Sequence, residues 1–193
     1  AYGDSEARLG AFGVEGFEVM SKLPPLPGGV DDVAAWVRDQ VDGSLARLRV
    51  PRLAALSLHR PADALEGRGA ELRGALVAER DSGRIGRLGV SVYAPEELEP
   101  LFAKFEFDLV QAPANPFDRR MQASPWGRQL AARGCALHLR SGFLQGLLLM
   151  PAPRRPPWTS RWSELFARWD AFLRDSGLSA LEVTQAAWEH KLM

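Results

Sequence analysis

The sequence has almost no cysteine: Cys135 is the only one among 193 residues. A single thiol closes no internal disulfide and leaves no thiol-rich metal site, so packing must hold the fold, and a reducing cytoplasm is the expected setting. Net charge is absent too, because 24 Lys and Arg balance 24 Asp and Glu. That balance offers no basic field for nucleic acid or an anionic surface. The longest apolar run lies around residues 147–150, far short of the roughly 18 residues that cross a bilayer. The opening Ala1-Tyr2-Gly3-Asp4 has no initiator Met, no basic region and no apolar region of a secretory signal. The three histidines, His59, His138 and His190, share no metal-ligand spacing with each other or with carboxylates.

What is present is an ordinary globular composition, 46% hydrophobic and 25% charged, enough for one domain with a real core. Two kinds of segment alternate along it. Residues 16–23 (GFEVMSKL), bounded by Gly and Pro-Pro, read as a strand. Val33, Val37, Val41, Leu45 and Leu48 then recur at the helical period, which predicts a helix over 31–48 with Asp31 or Asp32 as its N-cap. The almost wholly apolar 53–59 (LAALSLH) reads as a strand covered on both faces. Further helices are expected over 69–81, 94–105, 124–134, 160–175 and 179–190, and further strands over 85–93, 107–112 and 135–141. The last helix opens on a capping-box pattern, Ser179-Ala180-Leu181-Glu182. Strand and helix alternating at intervals of roughly 25 to 35 residues predict an α/β fold with a parallel sheet. Periodicity leaves an open doubly wound sheet and a barrel both available, and residues 1–193 read as one domain.

Several residues stand out, each with a plain structural explanation beside the functional one. Gly83, Gly86 and Gly89 precede a strand, so they do not make the glycine loop that opens a dinucleotide-binding helix. His59 ends an apolar strand, where a barrel would turn a polar side chain toward its site, although a histidine at a sheet rim is also common. Lys22 closes another strand in the same way. His138 lies mid-strand. The aromatic residues are spread over helices as packing groups, and Arg154-Arg155 in the Pro-rich 150–158 read as part of a solvated loop.

The order of these residues is more specific than any one of them. Tyr2-Gly3-Asp4-Ser5-Glu6-Ala7-Arg8-Leu9-Gly10 resembles the segment around the catalytic tyrosine of the aldo-keto reductases. Lys22 matches the lysine of that family, and His59 in Leu56-Ser57-Leu58-His59-Arg60-Pro61 matches its histidine. The segments 85–91, 110–115 and 140–148 are similar to the next family strands, in the same order. The resemblance covers essentially the whole chain. It implies a (β/α)₈ barrel with its site at the C-terminal face. By the same resemblance, NADPH would pass hydride to an aldehyde or ketone, sugars among them. Tyr2 would be the general acid, Lys22 would lower its pKa, and His59 would orient the carbonyl. Ser91 and Gln111 match residues that hold the nicotinamide carboxamide, and Arg140 and Ser141 match the place of further cofactor contacts.

The departures are as specific. The family aspartate that pairs with the lysine stands a short way before the tyrosine, and here only Ala1 precedes Tyr2. The first two barrel strands, the last strand and the basic segment that grips the adenosine phosphate are also missing. The chain thus reads as about five of the eight strands of a barrel, truncated at both ends, with impaired NADPH binding. Its open sheet edges imply a homo-oligomer. The alternative reading is a non-catalytic scaffold that keeps the middle of the fold.

Overall fold

Apolar runs between Gly and Pro become strands, and the segments with apolar residues three or four apart become the helices between them. The computed structural model describes residues 3–189, and side chains through residue 187. The elements are α1 (Ser5–Phe12), β1 (Met20–Leu23), α2 (Val33–Leu48), β2 (Leu53–Leu58), α3 (Gly69–Asp81), β3 (Ile85–Ser91), α4 (Leu98–Phe102), β4 (Leu109–Pro113), α5 (Arg120–Ala123), α6 (Trp126–Ala132), β5 (Ala136–Arg140), α7 (Ser163–Ser176) and α8 (Ala180–Glu189). Five parallel strands form one sheet in the order β1-β2-β3-β4-β5, so β1 and β5 are its outer strands. Each new strand is laid beside the last through a helical crossover, as parallel pairing requires.

Two compact units divide the chain: Ala1–Ala112 with Gln129–His138, and Pro113–Arg128 with Leu139–Met193. In the first, Val33, Val37, Val41 and Leu48 bury one stripe of α2, and Leu56, Leu58, Leu88, Val90 and Val110 bury one face of the sheet. Full burial of each such side chain contributes about 1.5–3 kcal/mol. Asp32 is the cap of α2, accepting the Ala35 N–H at 2.9 Å. Gly89 allows a close strand approach, since a Cβ there would lie 2.4 Å from Ser57 Oγ and 3.1 Å from the Leu109 carbonyl oxygen.

Several elements differ from the expectation, among them α5, which lies ahead of the helix expected over 124–134. β1 starts at Met20 because Gly16 takes φ +83° and the Phe17 N–H bonds the Val14 carbonyl, turning the chain before it extends. α1 has no apolar stripe to announce it, its one buried residue being Gly10. The helix expected over 94–105 contracts to a 3₁₀ turn, Pro95–Glu97, and the short α4; Pro95 and Pro100 each withhold a backbone donor.

In the second unit Leu147, Leu148, Phe166 and Trp169 form the core, with Phe117 edge-on to both Phe166 and Trp169. Trp169 Nε1 donates to the Leu148 carbonyl at 3.3 Å. Most of the Pro-rich stretch is exposed, as a solvated loop is, Arg154 included, and Arg155 is an exception. Arg155 is partly buried, pairs in two-pronged fashion with Asp170 of α7 and lies 4.5 Å over the Phe166 ring. Its hydrogen bond holds the Asp170 carboxyl below the usual carboxylate range. The capping box of α8 is formed, with Ser179 N–H donating to Glu182 at 2.8 Å and Glu182 N–H donating to Ser179 Oγ at 3.2 Å.

Two substitutions in the first unit separate packing from backbone entropy. Leu88, 1% exposed, loses about 2–5 kcal/mol of stability as Leu88→Ala in urea denaturation. Gly74, inside α3 with nothing within 4 Å of where its Cβ would stand, gains about 0.5–1 kcal/mol as Gly74→Ala.

Candidate active site

Parallel pairing decides which polar residues share a face. Lys22 is the register partner of Ser57, Ser57 of Gly89, and Gly89 of Leu109, a single row across β1 to β4. Side chains two residues apart on a strand face the same way. Ser91 and Gln111, partners of one another, therefore stand one step nearer the strand C-termini on that same face. His59 follows β2 directly, two residues after Ser57, and its N–H continues the ladder to the Leu23 carbonyl at 3.2 Å. Lys22, His59, Ser91 and Gln111 thus gather at the C-terminal ends of four adjacent strands.

Lys22, Ser57, Leu109 and Gln111 line one cavity of about 220 Å³, with Glu6 and Met20 on its α1 side. His59 and Ser91 share the sheet face but are not part of the cavity wall. Ser91 is 3% exposed. The Gln111 side chain carries a buried carbonyl oxygen, Oε1, with no hydrogen-bond partner among the described residues. A buried acceptor without a donor is costly. A primary carboxamide, the functional group on a nicotinamide ring, presents the donor this oxygen lacks, so the residues present fit that group. Tyr2 lies outside the described residues.

The residue that the motif reading left without a role is Glu6. Ser21 Oγ donates to its carboxylate, Ser44 Oγ donates at 3.1 Å and Arg47 Nε at 2.8 Å. It thereby joins the first turn of α1 to α2 and to the residue preceding Lys22 on β1. Burial pushes this carboxyl up, but the hydrogen bonds from Ser21, Arg47 and Ser44 together outweigh burial and hold its pKa below the ordinary 4.5. Gly10 allows the same docking, because a Cβ there would lie 2.1 Å from the Arg47 carbonyl oxygen.

Arg140 and Ser141 belong to the second unit. Arg140 ends β5 and accepts the Ala114 N–H at its carbonyl, 3.1 Å away, while its guanidinium reaches Ser141 Oγ at 3.4 Å. Ser141 takes the left-handed conformation, φ +59°, unusual for a residue with a Cβ. Asn115, 1% exposed, secures this turn by donating from Nδ2 to the Ser141 carbonyl at 3.2 Å, while its Oδ1 accepts the N–H groups of Phe117 and Asp118. Asn115 stands in the segment that resembles the family strand, but only its burial and hydrogen bonds reveal what it does.

A parallel α/β sheet with polar groups gathered at its C-terminal ends has them where barrel folds place their sites. A sequence model of the Aldo/keto reductase family matches residues 1–185, and the chain belongs to that family. No curated protein matches the sequence. Among solved structures, PA4992 from Pseudomonas aeruginosa, provisionally assigned as an aldo-keto reductase, is 28% identical, with 74% of this chain aligned to 56% of that one at a TM-score of 0.61. The glycerol dehydrogenase AKR11B4 from Gluconobacter oxydans is 21% identical, with 93% of this chain aligned to 63% of that one at a TM-score of 0.67. The aldo-keto reductase AKR11C1 from Bacillus halodurans is 20% identical, covering 78% of this chain and 51% of its own at a TM-score of 0.61. The chain therefore spans 51–63% of the length of these three relatives.

Glu6 gives a test with a defined pH dependence. Glu6→Gln unfolds at lower urea concentration than the wild type at neutral pH. Because the folded-state pKa is depressed, the carboxylate's contribution is complete above the ordinary value of 4.5 and is lost as pH falls through the lower folded value. The gap between the two proteins narrows on acidification. A gap that stays constant into acid shows that the carboxylate charge does not secure α1.

Proposed function

We propose that this chain carries the core of an NADPH-dependent reductase of aldehydes or ketones, working in the cytoplasm. The observation that carries the reading is the cavity lined by Lys22 and Gln111, at the C-terminal end of the sheet, together with the buried Gln111 Oε1 that has no hydrogen-bond partner among the described residues. Bound there, the dihydronicotinamide would supply hydride. Gln111 accepts from its carboxamide and Ser91 assists, and the family resemblance gives Arg140 and Ser141 contacts to the cofactor's ring or phosphates.

Tyr2 delivers the proton to the carbonyl oxygen. An unperturbed phenol titrates near about 10 and is a weak acid-base partner at neutral pH. The Lys22 ammonium favours the phenolate and brings that value down. His59 donates a hydrogen bond to the same carbonyl oxygen, orients it, and stabilises the negative charge that grows on it as the bond order falls. These roles come from the family resemblance, and the strand-end placement of Lys22 and His59 supports them.

Since the aligned relatives are longer, the isolated chain is expected to reduce aldehydes at least about a thousandfold more slowly than a full-length family member, a difference of roughly 4 kcal/mol at 1.36 kcal/mol per decade. NADPH oxidation followed by absorbance with a panel of aldehydes checks this, and Tyr2→Phe and Lys22→Met should each abolish the residual rate. A rate that survives both substitutions overturns the site assignment.

The same reading holds that the chain self-associates through its outer strands. Around β1, Phe12 is 84% exposed, Phe17 79% and Met20 41%, an apolar margin beside a strand at the edge of the sheet. Unpaired strand edges template pairing with another chain, and burying apolar area yields roughly 25 cal/mol per Å². Light scattering coupled to size exclusion at about 100 μM protein should give a mass above the 21.2 kDa of one chain. A clean monomer removes the proposal.

A further inference from the structure

Asp63 sits outside every motif used above, in the 3₁₀ turn Pro61–Ala64 that follows His59. It is 6% exposed, and both carboxylate oxygens are occupied. Oδ1 accepts Arg60 Nε at 2.6 Å within an ion pair to the same guanidinium, and Oδ2 accepts the Leu26 N–H at 2.9 Å. The second bond crosses from the loop after β2 to the loop after β1. That first loop reads Leu23-Pro24-Pro25-Leu26-Pro27, so Leu26 carries the only backbone N–H between Leu23 and Gly28. Asp63 takes that one donor. At the far end of the loop Arg68 donates to the carbonyls of Val30 and Asp31. The loop is thus tied at two points to the segment between β2 and α3.

Lys22 lies just before the Pro run and His59 just before Arg60, so the span that Asp63 closes has a proposed site residue at each base. We infer that Asp63 is a positioning residue: its carboxylate clasps the loops after β1 and β2 and fixes the spacing between Lys22 and His59. It touches no substrate and acts through the two loops. The inference rests on the proposed reductase reading for its consequence, while the clasp itself is open to direct measurement.

The test compares Asp63→Ala, which removes both acceptors, with Asp63→Asn, which keeps a carbonyl oxygen for the Leu26 N–H. Amide hydrogen exchange in the full chain should accelerate at least about tenfold at Leu26 and His59 in Asp63→Ala, while amides inside β2, such as Leu56, keep their rates. Asp63→Asn should restore both to within about threefold of the wild type. The imidazole ¹⁵N resonances of His59, assigned by their loss in His59→Gln, should move in Asp63→Ala and return in Asp63→Asn. Where turnover is measurable, kcat falls in Asp63→Ala with little change in the KM for NADPH. Unchanged exchange at Leu26 and His59, exchange that rises equally throughout the chain, or immobile His59 resonances each overturn the inference. Absence of NADPH turnover in the wild type counts against the reductase reading and leaves the exchange and resonance results to decide on the clasp.

Discussion

In the parallel ladder from β1 to β4, each pairing settles two things together: which residues are neighbours, and which side of the sheet they face. Lys22 meets Ser57, and Ser91 meets Gln111, because the register runs without a bulge across all four strands. A slip of one residue on any strand would turn its polar side chain into the helix-facing layer of Leu56, Leu58, Leu88 and Val90. Gly89 suits that register, since a Cβ in the gap between Ser57 and Leu109 would force the Ser57 hydroxyl to move. Apolar packing behind the sheet and polar convergence in front of it are two sides of one hydrogen-bond pattern.

Carboxylates and one amide do the joining at the edges of this layout. Glu6 ties α1 to β1 and α2. Asp108 opens β4 by accepting the Leu88 N–H at 2.8 Å. Glu97 accepts both the Tyr93 and Ala94 N–H groups at 2.7 Å, ending the loop after β3. Asp63 and Asn115 serve the loops after β2 and β4. Each acceptor satisfies backbone or side-chain donors that a loop would otherwise leave to water, and so converts flexible connections into fixed ones. A site built from strand ends needs this, because its groups come from separate strands and share no local restraint.

Membership of the aldo-keto reductase family accounts for the sheet and for the order of its motifs, while the chain covers little more than half of the relatives' length. The five strands form an open array with β1 and β5 outermost. The second unit carries a core of its own around Trp169, with the Arg155–Asp170 pair beside it. Lys22, Ser91, Gln111 and Arg140 lie on four of these strands and His59 directly follows a fifth.

While Ser91 and Gln111 entered only by family resemblance, the sequence by itself determined the parallel α/β class, the repeats β2–α3, β4–α6 and β5–α7 nearly to their boundaries, a cap at Asp31 or Asp32 and the cap at Ser179. These are local or periodic properties, legible because apolar spacing and cap chemistry act within a few residues of the chain. It did not disclose α1, which has no apolar stripe and is held by Glu6 through partners up to 41 positions away. Nor did it show that Arg155 pairs with Asp170, that Asn115 supports a left-handed Ser141, or that Asp63 takes the N–H of Leu26 in a Pro-rich loop. Only the tertiary structure decided those, because a polar residue's role is set by the donor it meets across space, and that donor lies on a different element.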